Sequence, residues 1–160
     1  MYQKNEYILH RIYGVLCVED YEQMEFDGNK IDYYVLFSPF SQNKTAKIKI
    51  PIENSKLLSP FPNGKEVEEL LHKVKTINAN WISESKKRIK IYETVFYEAT
   101  IPEIWSYLKA LKEHKDIVKL TIKDRDFMRR AEQIIYGLFS IALNMDYNDV
   151  GDLLLSKEKN

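Results

Sequence analysis

Over the first fifty residues apolar positions recur at every second residue or in short runs, with β-branched and aromatic side chains dominating them. That is the pattern of half-buried strands. Tyr7-Ile8-Leu9 and Tyr13 to Val18 each read as a strand, and Asp27-Gly28-Asn29 is a turn joining a strand that ends near Phe26 to one running from Ile31 to Phe37. The glycine suits a turn because it takes positive φ at no steric cost. A loop of Ser, Pro, Gln and Asn fills 38–44, after which Thr45-Ala46-Lys47-Ile48-Lys49-Ile50 alternates strictly. Pro51 stops it, having no N–H for a ladder. Four or five strands in so short a span predict a small antiparallel barrel of SH3-like or Tudor-like type.

The stretch from Pro51 to Gly64 holds three prolines and two serines, and beyond it the apolar period lengthens from two to 3.6. The predicted fold class is therefore α+β in two domains, with the β-barrel at 1–62 and an all-α helical bundle at 63–160. Val67, Leu70, Leu71 and Val74 form the stripe of a first helix, and Trp81, Ile82, Ile89, Tyr92 and Phe96 can line a second. Thr100-Ile101-Pro102-Glu103 reads as a capping box opening a helix with Ile104, Leu108 and Leu111 inward and Trp105 packed in its core. Thr121-Ile122-Lys123-Asp124 resembles another cap and opens a long helix with Phe127, Ala131, Ile134, Ile135, Leu138 and Ala142 buried. Asp146 to Asp149 caps a short last helix through Leu153 and Leu154.

Charge changes this picture in one place. The chain carries 24 basic and 24 acidic residues, so it has no global field to hold nucleic acid, and such a contact has to be local. Residues 86–130 carry 12 Lys/Arg against 7 Asp/Glu, whereas 1–62 carry 7 against 8. The positive block begins just behind Asn80-Trp81, and helical phase places Lys86, Lys87 and Lys90 on an outer face. Two readings stay open there: a solvated helix with Trp81 in its core, or cations on phosphates with the indole against bases. Lys47 and Lys49 carry a similar ambiguity, because lysine on an edge strand discourages stray pairing or marks an edge meant for a partner.

Site chemistry narrows the field further. His10, His72, His114 and Cys17 stand far apart without paired spacing, so no metal site is expected. Nucleophile-elbow and nucleotide-phosphate motifs have no match, so neither a cofactor nor a small-molecule substrate is expected. Glu19, Asp20, Glu22, Glu25 and Asp27 crowd one hairpin, where exposure offers no means of shifting a carboxylate pKa. No apolar run approaches a membrane span, and no apolar signal region opens the chain, so a cytoplasmic protein without membrane contact is expected. A binding protein is the class that remains.

Five segments in order give that class a family. They are Tyr13-Gly14-Val15; Gly28 leading into Tyr33-Tyr34-Val35-Leu36; Ile48-Lys49-Ile50-Pro51-Ile52-Glu53-Asn54; Asn80-Trp81; and Leu120-Thr121 through Met128, Ala131, Gln133 and Ile134. Over nearly its full length the chain resembles the CarD/CdnL family of bacterial RNA-polymerase-binding transcription regulators. The resemblance implies a first domain similar to the polymerase-interacting domain of transcription-repair coupling factors, docking on the RNA polymerase β subunit partly by strand pairing. That role would fall to Thr45, Lys47, Ile48, Lys49, Ile50 and Pro51, with Lys49 as a charged contact. It also implies a helical domain on promoter DNA at the upstream edge of the melted region, stabilising the open complex. Trp81 holds the place of the family's minor-groove wedge, Lys86 and Arg125 match family cations, and Lys87 and Lys90 lie on the same basic face.

Three departures are visible. Ser83 and Glu84 stand where the family commonly has arginine, Met24 replaces a frequent hairpin arginine, and Leu57 to Phe61 replaces Gly-Leu-Arg. The expected DNA contact is accordingly weak and not sequence-specific. The alternative is a polymerase- or protein-binding adaptor without direct DNA contact.

Overall fold

The computed structural model describes residues 1–43 and 45–156 and divides into two compact units, Met1–Phe61 and Pro62–Asn160. The first is a five-stranded antiparallel sheet built from β1 (Tyr7–His10), β2 (Gly14–Phe26), β3 (Asn29–Phe37), β4 (Ile48–Pro51) and β5 (Leu58–Pro60), in the order β4-β3-β2-β1-β5. Where a barrel was expected, the ladder leaves β4 and β5 as edge strands. The two-residue turn at Asp27-Gly28 sits in the left-handed region, with φ of 49° and 79°. Both central residues at positive φ match the right-handed twist of the flanking strands.

Alternation along β2 and β3 puts Leu16, Val18, Tyr34 and Leu36 on the core face, joined by Ile8 of β1 and Leu58 of β5. Ile48 and Ile50 of β4 close over this cluster, and Tyr2 packs against it from the N-terminus. A bulge at Glu19 shifts the β2–β3 register between Val18 and Asp20. Strand β5 falls in a segment expected to be linker; three residues with a proline carry too little pattern to announce a strand.

Strand β4 is shorter than the alternation predicts. It begins at Ile48, takes in Pro51, and leaves Thr45 and Lys47 in the preceding loop. The cause is local: Asn43 Oδ1 accepts from both the Thr45 N–H at 3.2 Å and its hydroxyl at 2.6 Å. An Asx turn of this kind competes with the ladder for the backbone.

The second unit contains α1 (Gly64–Thr76), α2 (Ser85–Tyr92), α3 (Val95–Glu98), α4 (Ile101–His114), α5 (Ile122–Leu143) and α6 (Tyr147–Leu155). Helix α5, 22 residues long, is central, and its buried face of Phe127, Ala131, Ile134, Ile135 and Leu138 is the expected stripe, except that Ala142 at its end is only half-buried. Its start is a full capping box, Thr121 and Asp124 each accepting the other's N–H. At α4 only half of the expected box forms, with Thr100 accepting from the Glu103 N–H. Trp105 is fully buried as expected, and among the described residues its indole N–H finds no acceptor. Among the described residues no helix is long and apolar enough to cross a membrane.

The predicted second helix differs most. It starts at Ser85, so Trp81 and Ile82 precede it in chain without regular secondary structure, and it breaks at Glu93-Thr94 before the short α3. The one buried side chain of α2 is Arg88, whereas Ile89 is only half-buried.

Candidate functional sites

The first candidate is the β4 edge. Its inner side pairs with β3, Leu36 opposite Ile48, Val35 opposite Lys49 and Tyr34 opposite Ile50. Among the described residues its outer side borders no strand of the sheet, which is the arrangement a partner strand can extend. Ile48 and Ile50 face the core while Lys49 is exposed. The lysines are not free: Lys49 Nζ meets Glu22 at 2.9 Å, and Lys47 Nζ meets Glu19 at 2.8 Å while lying 5.3 Å from the Phe37 ring centre. Asp20 is matched in the same way by Lys4 at 2.9 Å. Three of the five hairpin carboxylates expected to be solvated, Glu19, Asp20 and Glu22, are thus held in exposed ion pairs. Such pairs are worth less than about 1 kcal/mol each, so a partner's charge can displace them at little cost.

The second candidate surrounds Trp81, which is half-buried. The His114 ring stacks on the indole at 3.9 Å between centroids and 5° between planes, and the Arg88 guanidinium carbon lies 4.8 Å from the indole centre. Both are favourable positions against an aromatic face. His114 is itself fixed, its Nδ1 2.8 Å from the Ala110 carbonyl one turn back along α4.

Arg88 links this aromatic stack to the core. Its Nε and Nη2 donate to the two oxygens of Asp124 at 3.0 and 2.9 Å, a bidentate pair that is all but sealed from solvent. Its Nη1 donates to the carbonyls of Ile82 and Ser83 at 3.0 and 3.1 Å. Asp124 also accepts from the Tyr92 hydroxyl at 2.6 Å and from the Thr121 N–H at 2.8 Å. Burial alone would push the Asp124 carboxyl up, but the hydrogen bonds from Arg88, Tyr92 and Thr121 outweigh it and hold the pKa at about 2. Tyr92 moves the other way, raised by burial and then by its bond to the carboxylate. The Arg88–Asp124 pair is therefore ionised across the physiological range, while the Tyr92 hydroxyl keeps the proton it donates.

Around it Lys86, Lys87, Lys90 and Arg125 are all exposed. Lys87 leans toward Glu84 at 3.6 Å, whereas among the described residues no ion pair engages Lys86, Lys90 or Arg125. Arg125 follows Asp124 in the first turn of α5. Asp124 and the α2 residues Arg88 and Tyr92 thus tie the two basic segments together. Sequence reasoning missed Arg88, Tyr92, His114 and Asp124 as site residues. The available signal was chemical: Arg88 is the lone arginine within a run of lysines, and the planar fork of arginine suits a bidentate buried partner as lysine does not.

Residues 2–62 match the CarD-like/TRCF RID domain family. The first unit is a CarD-like/TRCF RID domain. That makes it an RNA polymerase-interacting domain by family, and the β4 edge belongs to it. The match stops where the helical unit begins and assigns nothing there. No curated protein matches the chain.

Proposed function

We propose that this protein is a non-enzymatic, cytoplasmic transcription regulator that docks on the RNA polymerase β subunit and stabilises the open promoter complex. The RID holds the polymerase through Thr45–Pro51, β4 lending its outer edge to a strand of the β subunit and Lys49 exchanging Glu22 for an acidic partner. The helical unit lies at the upstream edge of the melted DNA, where Trp81 wedges into the minor groove and Lys86, Lys87, Lys90 and Arg125 face phosphates. The observation that carries the reading is the RID match over residues 2–62. It is supported by Trp81, which is half-buried on a non-helical segment ahead of α2 rather than inside the core.

A wedge at an unstacked step makes few base-edge hydrogen bonds, so the contact discriminates sequence poorly. Tethering to polymerase raises the effective DNA concentration, so a neutral protein with weak intrinsic DNA affinity suffices. A second reading is an adaptor that binds polymerase without touching DNA. It draws on the His114 stack already occupying the indole and on Glu84 repelling phosphate beside Lys87.

Co-purification of the β subunit with Lys49→Glu tests the docking half. The lost ion pair with Glu22 is exposed and worth under about 1 kcal/mol, so the variant stays folded. The expected result is loss of the β subunit from the eluate, and retention at wild-type level removes the assignment.

A further inference from the structure

We propose that Arg88 is a positioning residue for Trp81, its guanidinium clamping the Ile82–Ser83 backbone to Asp124 and so presenting the indole in one orientation. The proposal deepens the reading of the helical unit as the DNA-contacting one and rests on that reading only for its functional consequence. Four of the five guanidinium N–H groups are spent on two different tasks. Two grip the carboxylate of Asp124 from 36 positions along the chain, and two hold consecutive carbonyls in a segment with no helical hydrogen bonds of its own.

On the other side of Trp81, the Asn80 N–H donates to the Ser106 carbonyl of α4 at 2.9 Å. The backbone is thus pinned immediately before and immediately after the tryptophan, to two different helices, while His114 of α4 takes the ring. A segment without regular secondary structure otherwise samples many conformations, and a wedge drawn from such an ensemble would have to be ordered on each binding event. The clamp supplies that order in advance. Asp124 makes it rigid, since its two oxygens accept four hydrogen bonds and one of them closes the capping box of α5. Lysine at 88 keeps the charge but can neither bridge both oxygens nor reach two carbonyls at once.

The test uses the full chain with Arg88→Lys, and with Tyr92→Phe as a gentler variant that removes only the hydroxyl on Asp124. The indole N–H resonances of Trp81 and Trp105 are recorded by heteronuclear NMR and assigned with Trp81→Ala, and open-complex lifetime and β-subunit co-purification are measured alongside. The expected result is that the Trp81 resonance moves or broadens in both variants, more in Arg88→Lys, while that of buried Trp105 stays in place. Open-complex lifetime then falls toward that of Trp81→Ala with polymerase binding kept. A purely structural role for Arg88 lowers the melting temperature without disturbing the Trp81 resonance of the folded protein, and that outcome overturns the proposal. Should Arg88→Lys fail to fold, an unmoved Trp81 resonance in Tyr92→Phe overturns it equally. A displaced resonance with a lifetime that neither Arg88→Lys nor Trp81→Ala alters upholds the clamp and removes the DNA reading instead.

Discussion

Asp124→Asn isolates the charge at the centre of the helical unit while preserving the size of the side chain. Asp124 has no exposed surface and its partner Arg88 has a side chain only 7% exposed, so the substitution strands a guanidinium in the interior. Its pKa is raised further by the hydrogen bond to Asp124, and arginine has no accessible neutral form to retreat to. Removing one partner of a buried pair costs about 3–5 kcal/mol, whereas a domain of about 100 residues is stable by only about 5–15 kcal/mol. The loss is then about a fifth or more of the unit's stability. In urea, followed by helical circular dichroism, the unfolding midpoint should fall by at least about 1 M. Adding Arg88→Met removes the stranded cation, so the double variant should recover stability rather than lose more. The same carboxyl sets an acid limit. Its pKa of about 2 in place of 3.8 contributes about 2 kcal/mol that is present above pH 4 and lost as pH falls toward 2. An Asn variant within about 1 kcal/mol of wild type, or a double variant whose losses simply add, would refute the reasoning, since a surface pair behaves that way.

Two further predictions concern the RID. His10 is buried, its Nδ1 accepting the N–H groups of Ile12 and Tyr13 at 3.0 and 3.1 Å, and burial lowers its pKa below 6.5. The unfolded chain binds that proton more readily, so the stability of the first unit should fall as pH drops through 6.5, seen in thermal melts between pH 8 and 5.5 and absent from His10→Asn. At Gly28 an added Cβ meets nothing within 4 Å, but φ is +79°. Gly28→Ala should therefore cost about 1–2 kcal/mol through backbone strain alone; an unchanged melting temperature would show that the hairpin turn relaxes.

Much of the fold was legible because it is written in local pattern. Period two located β3 and both ends of β2, which read as two separate strands rather than one, and Thr121-x-x-Asp124 located the start of α5. The misses are non-local. Strand β5 is defined by its pairing with β1 rather than by its own three residues, and the end of β4 is trimmed by Asn43. Nothing in the run Lys86 to Lys90 says that its arginine turns inward, because the reason lies at Asp124. The indole of Trp81 reads as core or ligand contact until His114 and Arg88 are placed around it. The residues assigned to DNA were legible as a charge excess; the device that holds them in place was not.

Open-complex lifetime on a weak promoter, measured with wild-type protein, with Trp81→Ala and without protein, tests the central claim most directly. Wild type should lengthen the lifetime, and Trp81→Ala, still bound to polymerase, should return it toward the value without protein. An Ala variant as effective as wild type would contradict that claim and leave the adaptor reading in its place.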